Sequence, residues 1–279
     1  MRNLNAVSYL SPNLFWFYRS VSQAIARRCD CKVEIVAADC DPLDDPRLEH
    51  NQIDIAFICG LPLIRHNRIA KQSLEILAAP VMQDNRYQQQ PIYLADIVVH
   101  ANSNFYKLAD LAGSRFCYND RGSNSGYNLL RYRLLQHLKL QFLPQDLPDN
   151  YQFFQSSKAS ASHQNSLQWI ASGLADCAAI DSIVMATELR QFPELAQSLR
   201  VIESIPSPIP PIAISSRLYS QLGSEFIKIM QKSLLEPDLS LQEAMKLAEV
   251  SHYTTASMND YAEIGVTYDE AITANCNIL

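Results

Sequence analysis

The first sixty residues alternate between apolar runs of strand length and stretches with helical spacing. Leu4–Leu10 reads as a strand. Ser11 then offers an N-cap and Pro12 suits the first helical position, with Leu14, Phe17, Tyr18, Val21 and Ile25 on one face beyond them. The β-branched run Lys32–Ala38 predicts a second strand. Asp45 and Pro46 open a short helix toward His50, and Ile53–Cys59 predicts a third, buried strand closed by Gly60 and Pro62. A β-α-β-α-β order of this kind requires a parallel sheet with right-handed crossovers.

Further on, Leu74–Val81 and Ile92–Val99 read as strands around the polar loop Gln83–Gln90. Leu108–Leu111 is a short helix ended by Gly113, and Arg115–Tyr118 a strand. Gly126–Leu140 is a helix with Tyr127, Leu130, Leu134 and Leu138 along one face, followed by a loop at Pro144 and Pro148. Tyr151–Gln155 reads as a strand, Gln164–Ser172 as a helix stopped by Gly173, Cys177–Ile180 as a strand and Ser182–Arg190 as a helix. The middle third thus repeats the strand–helix logic of the first. The densest proline cluster, Ser207-Pro208-Ile209-Pro210-Pro211, favours extended backbone and suits a crossover between lobes. Ile212–Ser215 is one more strand, and the chain from Ser224 on is mainly helical, with Phe226, Ile229 and Met230 as an apolar face.

With 279 residues, the chain can form one large α/β domain or two lobes. Its formal net charge is −6 with no basic run, which argues against broad nucleic-acid binding. It does not argue against holding an anion, because backbone N–H groups need no net positive charge. No stretch has the apolar length of a membrane span. Seven cysteines at irregular spacing do not read as a disulfide framework, and three of them (Cys59, Cys117, Cys177) lie in apolar runs. Cys29, Cys31 and Cys40 lack a nearby His to complete a zinc pattern, so no metal or cofactor is expected. Met1 and Arg2 lead straight into the first strand. The expectation is therefore a cytoplasmic protein as given, or a periplasmic or lipid-anchored one if a leader has been removed.

The candidate chemistry is concentrated between strand and helix at Tyr118-Asn119-Asp120-Arg121-Gly122-Ser123-Asn124-Ser125-Gly126. Glycines free the backbone, short polar side chains supply donors, and the helix start presents unpaired N–H groups at the positive end of its dipole. Such a turn suits a tetrahedral oxyanion. The same residues also describe an ordinary N-capped helix, and composition alone favours that plainer reading. A second helix start of this kind lies at Ser162-His163. Both follow strands, at the ends where α/β folds place ligands. Arg65-His66 reads as a solvated turn, Trp16 and Trp169 as packing residues, Arg131 and Arg133 as water-facing. His100, His137 and His252 carry no functional expectation.

The sequence resembles the phosphate/phosphonate-binding proteins of bacterial ABC importers. The resemblance spans nearly the whole chain and is carried by Asp54-Ile55-Ala56-Phe57, by Tyr93 ahead of a Val-rich strand, and by Leu108-Ala109-Asp110-Leu111-Ala112-Gly113. Further matches are Ser123-Asn124-Ser125-Gly126, Ser162-His163, the stretch Gly173–Ser182, and Pro208-Ile209-Pro210. It implies an α/β, two-lobed periplasmic-binding-protein-like fold, each lobe a mostly parallel sheet flanked by helices. Lobe 1 would comprise residues 1–97 plus 207–279, and lobe 2 residues 98–206. It implies a solute-binding protein, not an enzyme, that closes on a small phosphorus oxyanion for transport or sensing, with an ABC permease or a sensor protein as partner. Ser123, Asn124, Ser125, Gly126, Ser162 and His163 would form the site. Tyr93 and Tyr9 would approach from the other lobe, with Asp181 at the rim. Asn124 departs from the family's usual hydroxyl residue, which bears on oxyanion selectivity. Two alternatives stand beside this reading. One is a cytosolic enzyme on the same fold, with Ser125 as nucleophile and His163 as base and no assigned orienting carboxylate. The other is an interaction protein with a vestigial cleft.

Overall fold

The computed structural model describes residues 2–141 and 152–273. The expected loop at Pro144 and Pro148, Tyr151 and Cys276 lie outside the described residues. The chain forms two compact units, Met1–Ile92 with Pro208–Ala262, and Tyr93–Ser207 with Glu263–Leu279.

In the first unit β1 (Arg2–Ser8) is followed by a 3-10 turn at Pro12–Leu14 and α1 (Phe15–Cys29). Then come β2 (Cys31–Ala37), the short α2 (Pro46–Glu49), β3 (Ile55–Phe57), α3 (Gly60–Ile69) and β4 (Leu74–Met82). β1 runs parallel to both β2 and β3, so the expected β-α-β-α-β winding is present. α3 occupies the residues where Gly60 and Pro62 were expected only to close a strand. Pro62 is its third residue, inside the first turn, where a missing N–H costs no helical hydrogen bond. The expected solvated turn at Arg65-His66 is therefore helical, with His66 buried.

The second unit contains β5 (Ile92–His100), β6 (Arg115–Tyr118), α4 (Leu129–Gln141), β7 (Ser156–Ala159), α5 (His163–Ala171) and β8 (Cys177–Asp181). α6 (Ser182–Gln191), α7 (Pro193–Ser198) and β9 (Leu199–Pro208) complete its run. Its sheet has the order β7-β6-β8-β5-β9. β6 is parallel to β7 and β8, and β5 is antiparallel to β8. The chain winds from β6 to β7 on one side and then across to β8 on the other, which makes the C-terminal end of β6 a switch point. Leu130, Leu134 and Leu138 of α4 are buried against Phe116, Phe154 and Ile97, which anchors the helix behind the loop that precedes it. Trp169 packs on the opposite core layer, whereas Trp16 stands largely exposed on α1. Arg133, expected to face water, pairs with Glu203 of β9.

The chain returns to the first unit through β10 (Ile212–Ser215), α8 (Arg217–Leu222), α9 (Ser224–Leu235), α10 (Leu239–Leu247) and β11 (Val250–Thr254), and α11 (Ala262–Thr273) follows. The first sheet then reads β11-β4-β10-β3-β1-β2, with β10 antiparallel to β3 and β4. Both sheets therefore share a three-stranded parallel core, joined by antiparallel strands. On α9 the buried face is Phe226, Ile227, Met230, Ser233 and Leu234; Ile229, expected on it, is exposed.

Candidate anion site

The loop after β6 enters its helix through one π-helical turn, Asn124–Asn128, which runs on into α4. Ser123 is the N-cap, with extended backbone, and its Oγ accepts from the Gly126 N–H at 3.0 Å. That bond consumes one of the helix's unpaired donors. From Ser123 a chain of polar atoms runs inward. Its Oγ lies 3.5 Å from the Ser125 Oγ, which lies 3.2 Å from Nε2 of His163. All three residues are buried.

His163 comes from the loop after β7. Ser162, with extended backbone, caps α5 by accepting from the Asn165 N–H, which places His163 as the first helical residue. Burial lowers the imidazole's pKa to about 4, so the ring is neutral at pH 7. Its Nδ1 is buried and has no hydrogen-bond partner among the described residues. The Asn119 Oδ1 is in the same condition, while its Nδ2 donates to Asp120. A Cβ on Gly126 would come within 1.8 Å of Asn119 Oδ1 and 3.1 Å of the His163 ring. The glycine is thus required by close approach, since these two side chains fill the space a larger residue would need.

Asp181 ends β8 and caps α6, its Oδ1 accepting from the N–H groups of Ile183 and Val184. Burial raises its pKa to about 6; the helix N–H groups oppose the shift and the nearby Asp96 adds to it. The Asn124 amide donates to the Tyr93 hydroxyl and to Ser207 Oγ, each at 3.0 Å.

The structure thus brings Ser123, Asn124, Ser125, Gly126 and His163 together at the C-terminal edge of β6 and β7, with Ser162 as the cap that aims His163. Tyr93, expected to approach from the other lobe, belongs to the same unit as the loop and touches it through Asn124. Tyr9 lies in the first unit, where its hydroxyl donates to Asp45 Oδ2 at 2.8 Å. Sequence reasoning missed Asn119. Its one signal was Gly126 itself, a glycine at a helix start where something must approach closely. It also missed Ser207, read there only as part of a proline crossover. Cys29, Cys31 and Cys40 form no metal cluster among the described residues.

Hydroxyls, first-turn N–H groups and a neutral imidazole are gathered at the switch point, an arrangement with the donors to hold an anion. A family model described as ABC transporter, phosphonate, periplasmic substrate-binding protein matches residues 8–261, and the chain belongs to that family. Solved structures agree in fold. A binding-protein component of an ABC phosphonate transporter from Pseudomonas aeruginosa matches with a TM-score of 0.75 at 17% identity, covering 100% of this chain and 90% of that one. PhnD1 from Prochlorococcus marinus, in complex with methylphosphonate, matches at 0.76 and 16% identity, covering 96% and 98%. The alkanesulfonate-binding protein SsuA from Xanthomonas axonopodis pv. citri, bound to MOPS, matches at 0.62 and 17% identity, covering 98% and 93%. No curated protein matches the sequence. The family is one of solute-binding proteins that work with an ABC permease and are typically periplasmic, which tells against the enzyme alternative.

Proposed function

We propose that the chain reversibly binds a small phosphorus oxyanion (phosphate, phosphite or a phosphonate) at the Ser123–Gly126 loop. The observation that carries this is the buried run Ser123–Ser125–His163 at the start of a helix, after the central strand of a parallel core. In this reading the Ser123 and Ser125 hydroxyls, the backbone N–H groups of the first turn and His163 surround the oxygens. A neutral imidazole carries one ring proton. With that proton on Nε2 it donates to an anionic oxygen; with it on Nδ1, a bare Nε2 accepts from a protonated one. Asp181 faces the ligand's substituent. Tyr93 borders the site from its own unit, and Tyr9 belongs to the first unit. Closure of the first unit (Met1–Ile92 with Pro208–Ala262) on the second (Tyr93–Ser207 with Glu263–Leu279) completes the reading, since excluding water strengthens each hydrogen bond to the anion.

Isothermal titration with methylphosphonate, phosphite, phosphate and sulfate tests it. Heat is expected with at least one phosphorus oxyanion, weakened at least about tenfold in Ser125→Ala and His163→Ala, the loss expected for a hydrogen bond to a charged group. A folded, ligand-free protein that gives no heat with any of them refutes the reading. Partnership with an ABC permease follows from the family, and a sensor partner is the variant that a cytoplasmic location favours. That location is part of the proposal. It is supported by the free thiols among the described residues, the exposed Cys40 included, since unpaired cysteines suit a reducing compartment. Fractionation of cells expressing the full-length gene checks it.

A further inference from the structure

Asn124 stands between the two serines of the loop and is wholly buried. An asparagine amide has two N–H donors. Here one goes to the Tyr93 hydroxyl and the other to Ser207 Oγ, each at 3.0 Å. Its Oδ1 accepts from Asn128 Nδ2 at 3.2 Å, which fixes the amide's orientation from the next turn of the helix. No N–H of this side chain is left for a ligand. Its two acceptors also have a particular place in the chain. Tyr93 is the first residue of the second unit and Ser207 the last before the chain returns to the first. The chain crosses between units at 92/93, 207/208 and 262/263, and a single side chain holds the residue beside each of the first two crossings.

We propose that the Asn124 side chain is not a ligand donor but a tie, linking the anion loop to the first two chain crossings so that the loop and those two crossings change conformation together. The residue type fits. A hydroxyl at this position has one donor and reaches one acceptor, whereas the planar amide spans two. The departure from the family's hydroxyl then bears on the crossings and not on which anion is chosen. Asn124 is a positioning residue, acting through Tyr93 and Ser207. The role assigned to the loop rests on the functional reading above; the tie itself does not.

Hydrogen exchange on the ligand-free protein tests the tie, with Asn124→Ser as the main variant and Ser207→Ala as a milder one that removes a single arm. In Asn124→Ser, exchange is expected to rise by about tenfold at Tyr93–Ala95 and at Ile205–Ser207 together, as loss of a buried hydrogen bond implies, while β1 and α9 keep wild-type exchange. Methylphosphonate is expected to slow exchange at both crossings in the wild type, and to lose that effect in Asn124→Ser while still binding. Unchanged exchange at the crossings overturns the proposal. So does loss of methylphosphonate binding in Asn124→Ser with the crossings undisturbed, which would make Asn124 a ligand donor. A wild-type chain that gives no heat with methylphosphonate, yet shows linked deprotection in the variant, supports the tie and counts against the functional reading alone.

Discussion

Replacing Asp181 with Asn should make the protein more stable at neutral pH. Asp181 is buried at the junction of β8 and α6, and burial raises its pKa from 3.8 to about 6 against the pull of two helix N–H groups. A folded value above the unfolded one means that the group's stabilising contribution is greatest below pH 3.8 and is lost as pH rises through about 6. At pH 7 the loss amounts to roughly 3 kcal/mol, from about 1.4 kcal/mol per tenfold change in proton affinity. At pH 4, where the unfolded chain is itself half protonated, it shrinks to about 0.5 kcal/mol. Asn keeps the acceptor that caps α6 and is as good an N-cap as Asp, so the substitution removes the buried charge and little else. It also relieves the repulsion from Asp96 on the neighbouring strand. The assay is urea unfolding of wild type and Asp181→Asn from pH 4 to pH 8. The quantity to follow is the difference between them, in which titrating groups that do not interact with Asp181 cancel. The gap should widen with pH in favour of the variant. A gap of constant size, or a variant less stable at pH 7, would show that the carboxylate is compensated at this position and that the reasoning is wrong.

His163 should act in the opposite direction. Burial holds it at about 4 against an ordinary 6.5, so stability falls as pH drops from 6.5 toward 4, by roughly 3 kcal/mol over that window; His163→Gln should flatten the acid limb of the same unfolding curves. Gly126→Ala forces the new methyl into Asn119 and should cost about 1–3 kcal/mol as overpacking does, together with anion binding, measured by thermal melting and titration. Tyr9→Phe removes one hydroxyl from Asp45, which still holds Arg47 and the Arg47 N–H. It should cost about 1 kcal/mol or less, and denaturant unfolding checks it. Arg115→Ala opens an ion pair with Asp176 that is exposed on the Arg side. It should change stability by about 1 kcal/mol at most, with that change shrinking in high salt.

The parallel cores of both sheets were legible because their strands include short runs with a clear signal, β-branched in Lys32–Ala38 and continuously apolar in Cys177–Ile180. The elements that escaped lack that signal. β9 carries Glu203, Ser204 and two prolines, which a strand at the end of its sheet can accommodate. β11 includes Ser251 and His252, both exposed. The strand expected at Tyr151–Gln155 gives way to β7, four residues of which none is fully buried. At the site, the serines, Gly126 and His163 were readable because helix-start chemistry is local in sequence. The partners of Asn124 were not, because 31 and 83 residues separate it from Tyr93 and Ser207. A residue that looked like an altered ligand contact has its amide N–H groups committed to the hydroxyls of Tyr93 and Ser207.

The close approach at Gly126 reaches beyond this one chain. Asn119 Oδ1 occupies the volume into which a Cβ at position 126 would grow. The two positions, seven apart, are therefore one packing decision. Among relatives, a side chain of asparagine size at the first should occur with glycine at the second, and any larger residue at the second should require a smaller one at the first. An alignment of the family would show this as paired variation, and libraries aimed at new anion preferences should mutate the two positions jointly.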